Sequence, residues 1–401
     1  MGQYSQGIFL ESLLAEFGQG LTTTSLVITL CPAMFYLSGP FSAPLAYRFG
    51  VKRYTFMGAM VWVAGCLLGS VSNSIAVSII TQGCMTGCGT GMCYWVSMSV
   101  VPPWFDKYRA TGIGIGVLGS GLGAVAYSIG GGALISSIGW RQTLRVFGGA
   151  GAGLLLVAII LLEPKPGSRN KKRGPLAMAL KLMHVRSFQF YFASFFFFQM
   201  GFFTPYTFLP HIATGLGFDA SFGAFTLAML GIGSSVGRIV FSPVADAFKL
   251  RIFMFKFTTM LAATCLWVWS VCTTESSILA FCFLYGAFGG AFFASQGVVS
   301  AEIWGPSNVA ATFPMVNLVS IPGAFASSPI FAAIVESSGS YQPATFYAAA
   351  MMTMAFVCTM LIRHDGHLDP SLMPSPTKSS VDLPPTSSSS PQGDEKSVAK
   401  Q

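Results

Sequence analysis

The chain has 401 residues, of which 53% are hydrophobic and only 9% are charged, with a net charge of +8. Soluble domains contain about a quarter charged residues, so this composition excludes a water-soluble protein and predicts that most of the surface faces lipid. The basic residues lie in short connectors between apolar runs, a pattern that indicates membrane topology rather than nucleic-acid binding.

The first 20 residues do not form a signal peptide, because they lack a basic start and an adequate apolar core. They are also too short and too polar to span a bilayer, which takes about 20 apolar residues. The run GIFLESLLAEFG within them instead indicates the outer end of a helix whose earlier turns are absent.

Apolar runs of membrane-spanning length then follow one another along the chain. They are too long for buried helices of a soluble protein and too apolar on all sides for amphipathic ones. Because a helix satisfies its own backbone hydrogen bonds in lipid, we predict an all-α integral membrane protein with about eleven transmembrane helices. The runs lie near 21–47, 54–73, 75–103, 109–134, 141–162, 188–213, 220–246, 252–272, 276–303, 308–335 and 341–362.

The connectors alternate between basic and non-basic. Those near 72–75, 214–219, 273–277 and 336–340 contain no Lys or Arg, and only Arg141 breaks the alternation. Because basic connectors are retained in the cytoplasm, we predict that the basic set is cytoplasmic. This set contains Arg48, Lys52 and Arg53, then Lys107 and Arg109, then the run from Lys165 to Arg186, then Lys249 and Arg251.

Two parts of the chain resemble each other. Residues 39–53 (GPFSAPLAYRFGVKR) align with 238–252 at a constant offset of 199 residues. This predicts a duplicated unit of about 200 residues, an organisation typical of secondary transporters. Six helices in the second half then predict a sixth helix before residue 7 of the first. We expect a lost or mis-annotated first exon, and the alternative is an eleven-helix protein.

The predicted domains follow from these patterns. An N-terminal helix bundle (1–163, helices 2–6) is joined by a basic, Pro-rich cytoplasmic linker (164–187) to a six-helix bundle (188–363). The Ser- and Pro-rich tail (364–401) cannot bury enough apolar surface to fold, so we predict that it is disordered and cytoplasmic.

Polar residues at membrane depth are the candidates for substrate binding. An arginine at the bilayer centre costs at least about 2.5–3.5 kcal/mol, so Arg238 should face a wet cavity or a partner. A guanidinium suits a carboxylate, although a structural pair with a neighbouring helix remains the alternative. Interhelical hydrogen bonds or core packing are the alternatives for the other candidates, which are Gln199, Tyr206, Gln296 and Asn317.

Charged residues near the helix ends are candidates for opening and closing the transport pathway and for carrying protons. Glu302, at the inner end of its helix, is a candidate proton carrier. No catalytic or metal-binding pattern stands out, so we predict no enzyme activity, no cofactor and no metal site. The candidate gating residues in the basic connectors are Arg48, Gly50, Lys52, Arg53, Asp246 and Arg251.

Several of these runs resemble a known family. GPFSAPLAYRFGVKR is similar to the loop between helices 2 and 3 of the major facilitator superfamily, with Tyr47 at the usual acidic or amide position. FLESLLAEFG, WFDKYRATGIGIGVLGSGLG, IGWRQTLRVFGG and GRIVFSPVADAF resemble the monocarboxylate transporter-like branch, especially its fungal members. The similarity covers about residues 7–362.

The resemblance implies two pseudo-symmetric six-helix bundles, with the first helix largely missing here. In that branch an arginine in helix 8 is associated with the substrate's carboxylate, and Arg238 stands at that place. Ser234 stands where animal members carry an acidic residue one turn earlier. Fungal relatives carry carboxylates, riboflavin and secondary metabolites, so the resemblance leaves the cargo open.

We therefore predict a secondary-active transporter of a small organic solute, a monocarboxylate or other anionic metabolite, working by alternating access. The alternatives are a fungal secondary-metabolite or riboflavin-like transporter or efflux protein, and a transport-dead sensor or remnant that lacks helix 1. The expected partners are the solute, membrane lipid and protons as coupling ion, with no nucleic acid. We expect the plasma membrane, with a vacuolar or other organelle membrane as the alternative.

Overall fold

The computed structural model of the protein describes residues 6–100, 104, 109–163, 186–247, 251–304 and 309–362. Within these ranges all regular structure is helical, which confirms the predicted all-α class. A 3-10 turn (Gln6–Phe9) precedes α1 (Leu10–Phe17), α2 (Leu21–Phe49) and α3 (Val51–Ser70). Next, α4 (Ile75–Ser78), a π-helical segment (Ile79–Met85) and α5 (Thr86–Val100) form one continuous run. The remaining helices are α6 (Arg109–Ile138), α7 (Trp140–Leu161), α8 (Arg186–Gly215), α9 (Ala220–Ala247), α10 (Arg251–Trp269), α11 (Glu275–Trp304), α12 (Val309–Ser338) and α13 (Tyr341–Met360).

Eleven long helical runs in the described ranges coincide with the eleven predicted apolar segments, with ends that agree to within about four residues. Eight of these helices are long and apolar enough to cross a membrane: α2, α6, α7 and α9 through α13. The other three are the π-interrupted run, α8 and α3. At 20 residues, α3 is about 30 Å long and also matches the hydrocarbon thickness.

The helices repeat with the spacing that the sequence predicts. The starts of α2 and α9 are at Leu21 and Ala220, and α3 and α10 start at Val51 and Arg251. A smaller feature obeys the same offset, because Gly18 after α1 and Gly217 after α8 both have positive φ, 59° and 90°. Residues 10–17 therefore correspond to the last turns of α8.

Two helix pairs form the most extensive contacts between the two halves. One is α2 with α12, and the other is α6 with α9. These two pairs are equivalent in the repeat, because α2 of the first half corresponds to α9 of the second, and α6 corresponds to α12. At the second contact, a Cβ added to Gly121 would lie 3.1 Å from the carbonyl oxygen of Gly231, so glycine allows the backbones to approach closely.

An aromatic core holds α8 in place. The Phe198 ring stacks on Phe292 of α11 with centroids 3.5 Å apart, and Phe292 also stacks on Phe255 of α10 at 4.8 Å. The hydroxyl of Tyr191 donates to the carbonyl of Gln296 at 2.8 Å. These contacts fix the position of the polar residues that α8 carries.

The predicted linker 164–187, apart from its last two residues, and the predicted tail 364–401 lie outside the described residues. The last two linker residues already belong to α8, which begins at Arg186.

Candidate functional site

Arg238 lies inside α9 and is 4% exposed. Its Nη1 atom donates to the backbone carbonyl of Val117 at 3.0 Å and to the hydroxyl of Ser120. Both acceptors are neutral and both belong to α6, in the other half of the molecule. Arg238 therefore bridges the halves at the contact between α6 and α9.

The positive charge of Arg238 has no counter-charge in the described part of the chain, where its printed partners are these two neutral oxygens. Its Nε atom is buried without a hydrogen-bond partner, and Nη2 also makes no hydrogen bond there but is not fully buried. A guanidinium has five N–H donors, and a buried unpaired donor costs about 1–3 kcal/mol. The Nε–Nη2 edge therefore lacks a hydrogen-bond acceptor among these residues.

A narrow cleft adjoins this bridge, with about 160 Å³ of space not filled by atoms but no part of it wide enough for a water molecule. Tyr206 borders the cleft from α8 and is 2% exposed. Of the five predicted binding residues, Arg238 and Tyr206 are thus brought near each other, since Arg238 bonds Ser120 and Tyr206 lines the same cleft as Ser120. The lining residues are Ser120, Gly121, Ala124, Tyr206, Gly231 and Ser234.

The other three predicted binding residues are buried in separate helices and do not line this cleft. Gln199 is fully buried in α8, and neither atom of its amide has a hydrogen-bond partner among the described residues. It lies against α12, because a Cβ added to Gly323 would be 3.1 Å from its Cβ. Gln296, in α11, has an unpartnered buried Oε1, and Asn317 is buried in α12. Within the described ranges, Gln199 therefore does not make the interhelical hydrogen bond that would give it a purely structural role.

Four of the predicted gating residues, Arg48, Gly50, Lys52 and Arg53, lie at one end of the bundle, which we call the basic end. Gly50 has φ +92° in the turn between α2 and α3, a conformation that favours glycine. Lys52 donates to the carbonyl of Ile160 at 3.1 Å, near the end of α7, where the helix dipole favours a cation. Arg48 lies over the Phe49 ring at 5.8 Å.

The structure does not describe the side chains of the other charged residues that the sequence predicts for gating and proton transfer. The side chains of Asp246, Arg251 and Glu302 lie outside the described part of the structure.

At the opposite end, two carboxylates join the halves, and sequence reasoning did not indicate either. Glu11 of α1 lies 2.8 Å from Nδ1 of His211 in α8 and accepts from the hydroxyl of Thr214. The hydrogen bond from His211 lowers the pKa of Glu11 from its ordinary value. Glu336 of α12 accepts from the backbone nitrogen and the hydroxyl of Thr22, at the start of α2. The sequence feature that could have indicated Glu11 and Glu336 is a carboxylate next to a connector without Lys or Arg.

Arg141, the exception to the alternation of basic connectors, also has a partner at this end. It forms a salt bridge with Glu16 at 3.0 Å, and its guanidinium lies 4.9 Å from the centre of the Trp140 ring. The pairing compensates its charge, which explains how a cation is accommodated on the otherwise non-basic side.

Together, the spanning helices, the two related halves and the buried arginine between them define a multi-pass membrane protein with the architecture of a transporter. The sequence profile of the Major Facilitator Superfamily matches residues 1–311 and 192–382. The chain therefore belongs to that superfamily and is a transporter rather than an enzyme.

Its relatives agree. An MFS-type transporter of Gibberella moniliformis is 26% identical over 348 residues, covering 85% of this chain and 82% of that protein. Monocarboxylate transporter 12 of Xenopus laevis is 24% identical over 383 residues, covering 88% and 83%. A variant of the E. coli fucose:proton symporter FucP has the same fold, with a TM-score of 0.64, 13% identity and coverage of 90% and 96%.

Proposed function

We propose that this transporter carries a small organic anion, such as a monocarboxylate, by secondary-active alternating access, and that Arg238 binds the cargo's carboxylate. The observation that carries this proposal is the unpaired Nε–Nη2 edge of a buried guanidinium without a counter-charge among the described residues. An anionic cargo would supply both the missing acceptors and the missing charge. Relatives named as monocarboxylate transporters support the same cargo class.

The chemistry of this contact suits a carboxylate. The two parallel N–H groups of one guanidinium edge match the two oxygens of a carboxylate, and charge-assisted hydrogen bonds are about twice as strong as neutral ones. Tyr206 borders the adjoining cleft and is the second proposed contact. Gln199, with a donor and an acceptor both unpaired, is the third. Gln296 and Asn317 complete the proposed set.

Transport requires that the halves move against each other, and we propose that the bundles 1–163 and 188–363 are the moving units. The basic end, with Arg48, Gly50, Lys52 and Arg53, would face the cytoplasm and form a gate together with Asp246 and Arg251. Protons would be the coupling ion and Glu302 their carrier, in a plasma-membrane protein.

Uptake into liposomes tests the proposal. Purified protein is reconstituted with an imposed pH gradient and supplied with radiolabelled acetate, lactate, pyruvate and benzoate. We expect uptake of at least one of them, and Arg238→Ala should reduce it at least about thirtyfold, because a buried charged contact is lost. Arg145→Ala is the matched control, since this arginine of α7 bonds Ser70 at 3.1 Å, away from the cleft. Equal uptake by wild type and Arg238→Ala would overturn the proposed anchor.

A fungal secondary-metabolite or riboflavin-like cargo is the second proposal. It is favoured by the fungal MFS-type relative and by Ser234, a neutral residue one turn before Arg238. Riboflavin and an aromatic polyketide acid in the same assay distinguish the two. The transport-dead alternative predicts that no probe of either set is taken up.

A further inference from the structure

We infer that Ser120 positions Arg238 for the cargo, so that the anion site is assembled from both halves of the transporter. The inference rests on the proposed function, because it assigns a role to a residue next to the proposed anchor. Ser120 belongs to α6 in the first half, whereas Arg238 belongs to α9 in the second.

The hydrogen-bond roles around Ser120 are mutually compatible. Its hydroxyl donates to the carbonyl of Val117 at 2.8 Å, in its own helix. The hydroxyl oxygen is then free to accept from Nη1 of Arg238, which also donates to the same Val117 carbonyl. A hydroxyl has one donor and two acceptor lone pairs, so all three contacts are satisfied together. Nη1, the Ser120 hydroxyl and the Val117 carbonyl oxygen therefore bond one another, and these bonds hold Nη1 in position.

The contacts of Nη1 determine the orientation of the rest of the guanidinium of Arg238. The guanidinium is planar, so fixing one corner fixes the direction of the opposite Nε–Nη2 edge. That edge has no protein partner among the described residues. An arginine that is already immobilised loses less conformational freedom when it binds an anion, which favours affinity.

The close approach of α6 and α9 makes this contact possible. A Cβ added to Gly231 would lie 3.1 Å from the carbonyl oxygen of Gly121 and 3.0 Å from the Cβ of Ala124. A larger residue at either glycine would push α6 away from Arg238. Because the halves must touch here for Arg238 to be positioned, cargo binding favours conformations in which they touch.

The experiment compares Ser120→Ala with Ser120→Thr in the liposome assay, using the monocarboxylate from the panel with the highest uptake. We expect Ser120→Ala to raise KM about ten- to hundredfold, the size expected for one hydrogen bond to a charged group. The maximal rate should change little, because the variant weakens binding of the cargo and leaves the moving helices otherwise unaltered. Ser120→Thr retains the hydroxyl and should restore KM.

Ser136→Ala is the matched control, because this serine of α6 bonds only the carbonyl of Ala133 in its own helix, at 2.9 Å. Should Ser120→Ala fail to reach the membrane, Ser120→Cys replaces it, since a thiol has a similar shape but accepts hydrogen bonds weakly. A wild-type KM in the hydroxyl-less variant, or equal impairment of the Ala and Thr variants, overturns the inference. If Arg238→Ala transports normally, the proposed function fails instead, so the two failures are distinguishable.

Discussion

Glu336 caps the first turn of a helix that lies in the other half of the molecule. Its carboxylate accepts from the backbone nitrogen of Thr22 at 3.0 Å and from the Thr22 hydroxyl at 2.6 Å. The N-cap position of α2 is Gly20, which has no side chain to make this contact. The cap therefore comes from α12 and also ties the two halves together at the end opposite Lys52.

Removing this cap should loosen the start of α2. Capping interactions contribute about 0.5–2 kcal/mol, so we expect Glu336→Ala to increase amide hydrogen exchange in residues 21–25 by about fivefold. Glu275→Ala, at the exposed first turn of α11, is the control and should leave α2 unchanged. Unaltered exchange at the start of α2 in the Glu336 variant would show that the contact contributes nothing.

The contact between Glu11 and His211 predicts a pH dependence of stability. The folded protein lowers the pKa of Glu11 from its ordinary value of 4.5, so it favours the charged carboxylate. The resulting stabilisation is present above the ordinary pKa and is lost as the pH falls through the lowered value. The gap in thermal stability between wild type and Glu11→Gln should therefore be larger at about pH 6 than at about pH 3. A gap that does not vary with pH would contradict this.

A substitution at Gln199 should affect the stability of the protein and its transport in different ways. Its two unpaired amide atoms destabilise the folded protein, since each buried unpaired group costs about 1–3 kcal/mol. Gln199→Met, similar in size, should therefore unfold at the same or a higher temperature. If Gln199 binds the cargo, the same variant should have a raised KM. A less stable variant with normal uptake would contradict both expectations.

Two glycines of α6 provide a test of the close contact with α9. A Cβ added to Gly121 meets the Ser235 side chain and the carbonyl of Gly231, whereas one added to Gly119 meets nothing within 4 Å. We expect Gly121→Ala to slow uptake by pushing α6 from α9. Gly119→Ala should be neutral or slightly stabilising, because alanine favours helix. Uptake rates that are equal in the two variants would argue against a functional contact here.

The sequence predicted the helices well and the contacts between them poorly, for a physical reason. Apolar length and connector charge are local properties, so the helix ends followed from them directly. The partners of Arg238 are more than 100 residues away and are a backbone carbonyl and a serine, which no pattern distinguishes. Glu11 and His211 are 200 residues apart and meet only through packing. The π-helical segment Ile79–Met85 likewise has no signal in the apolar pattern.

The central claim is that the guanidinium of Arg238 binds an anion at the contact between the halves, and equilibrium binding tests it most directly. Purified wild type, Arg238→Ala and Arg145→Ala are titrated with the radiolabelled monocarboxylate that the liposomes take up best. We predict that Arg238→Ala binds at least about thirtyfold more weakly than wild type, while Arg145→Ala binds normally. Undiminished affinity in Arg238→Ala would contradict the account.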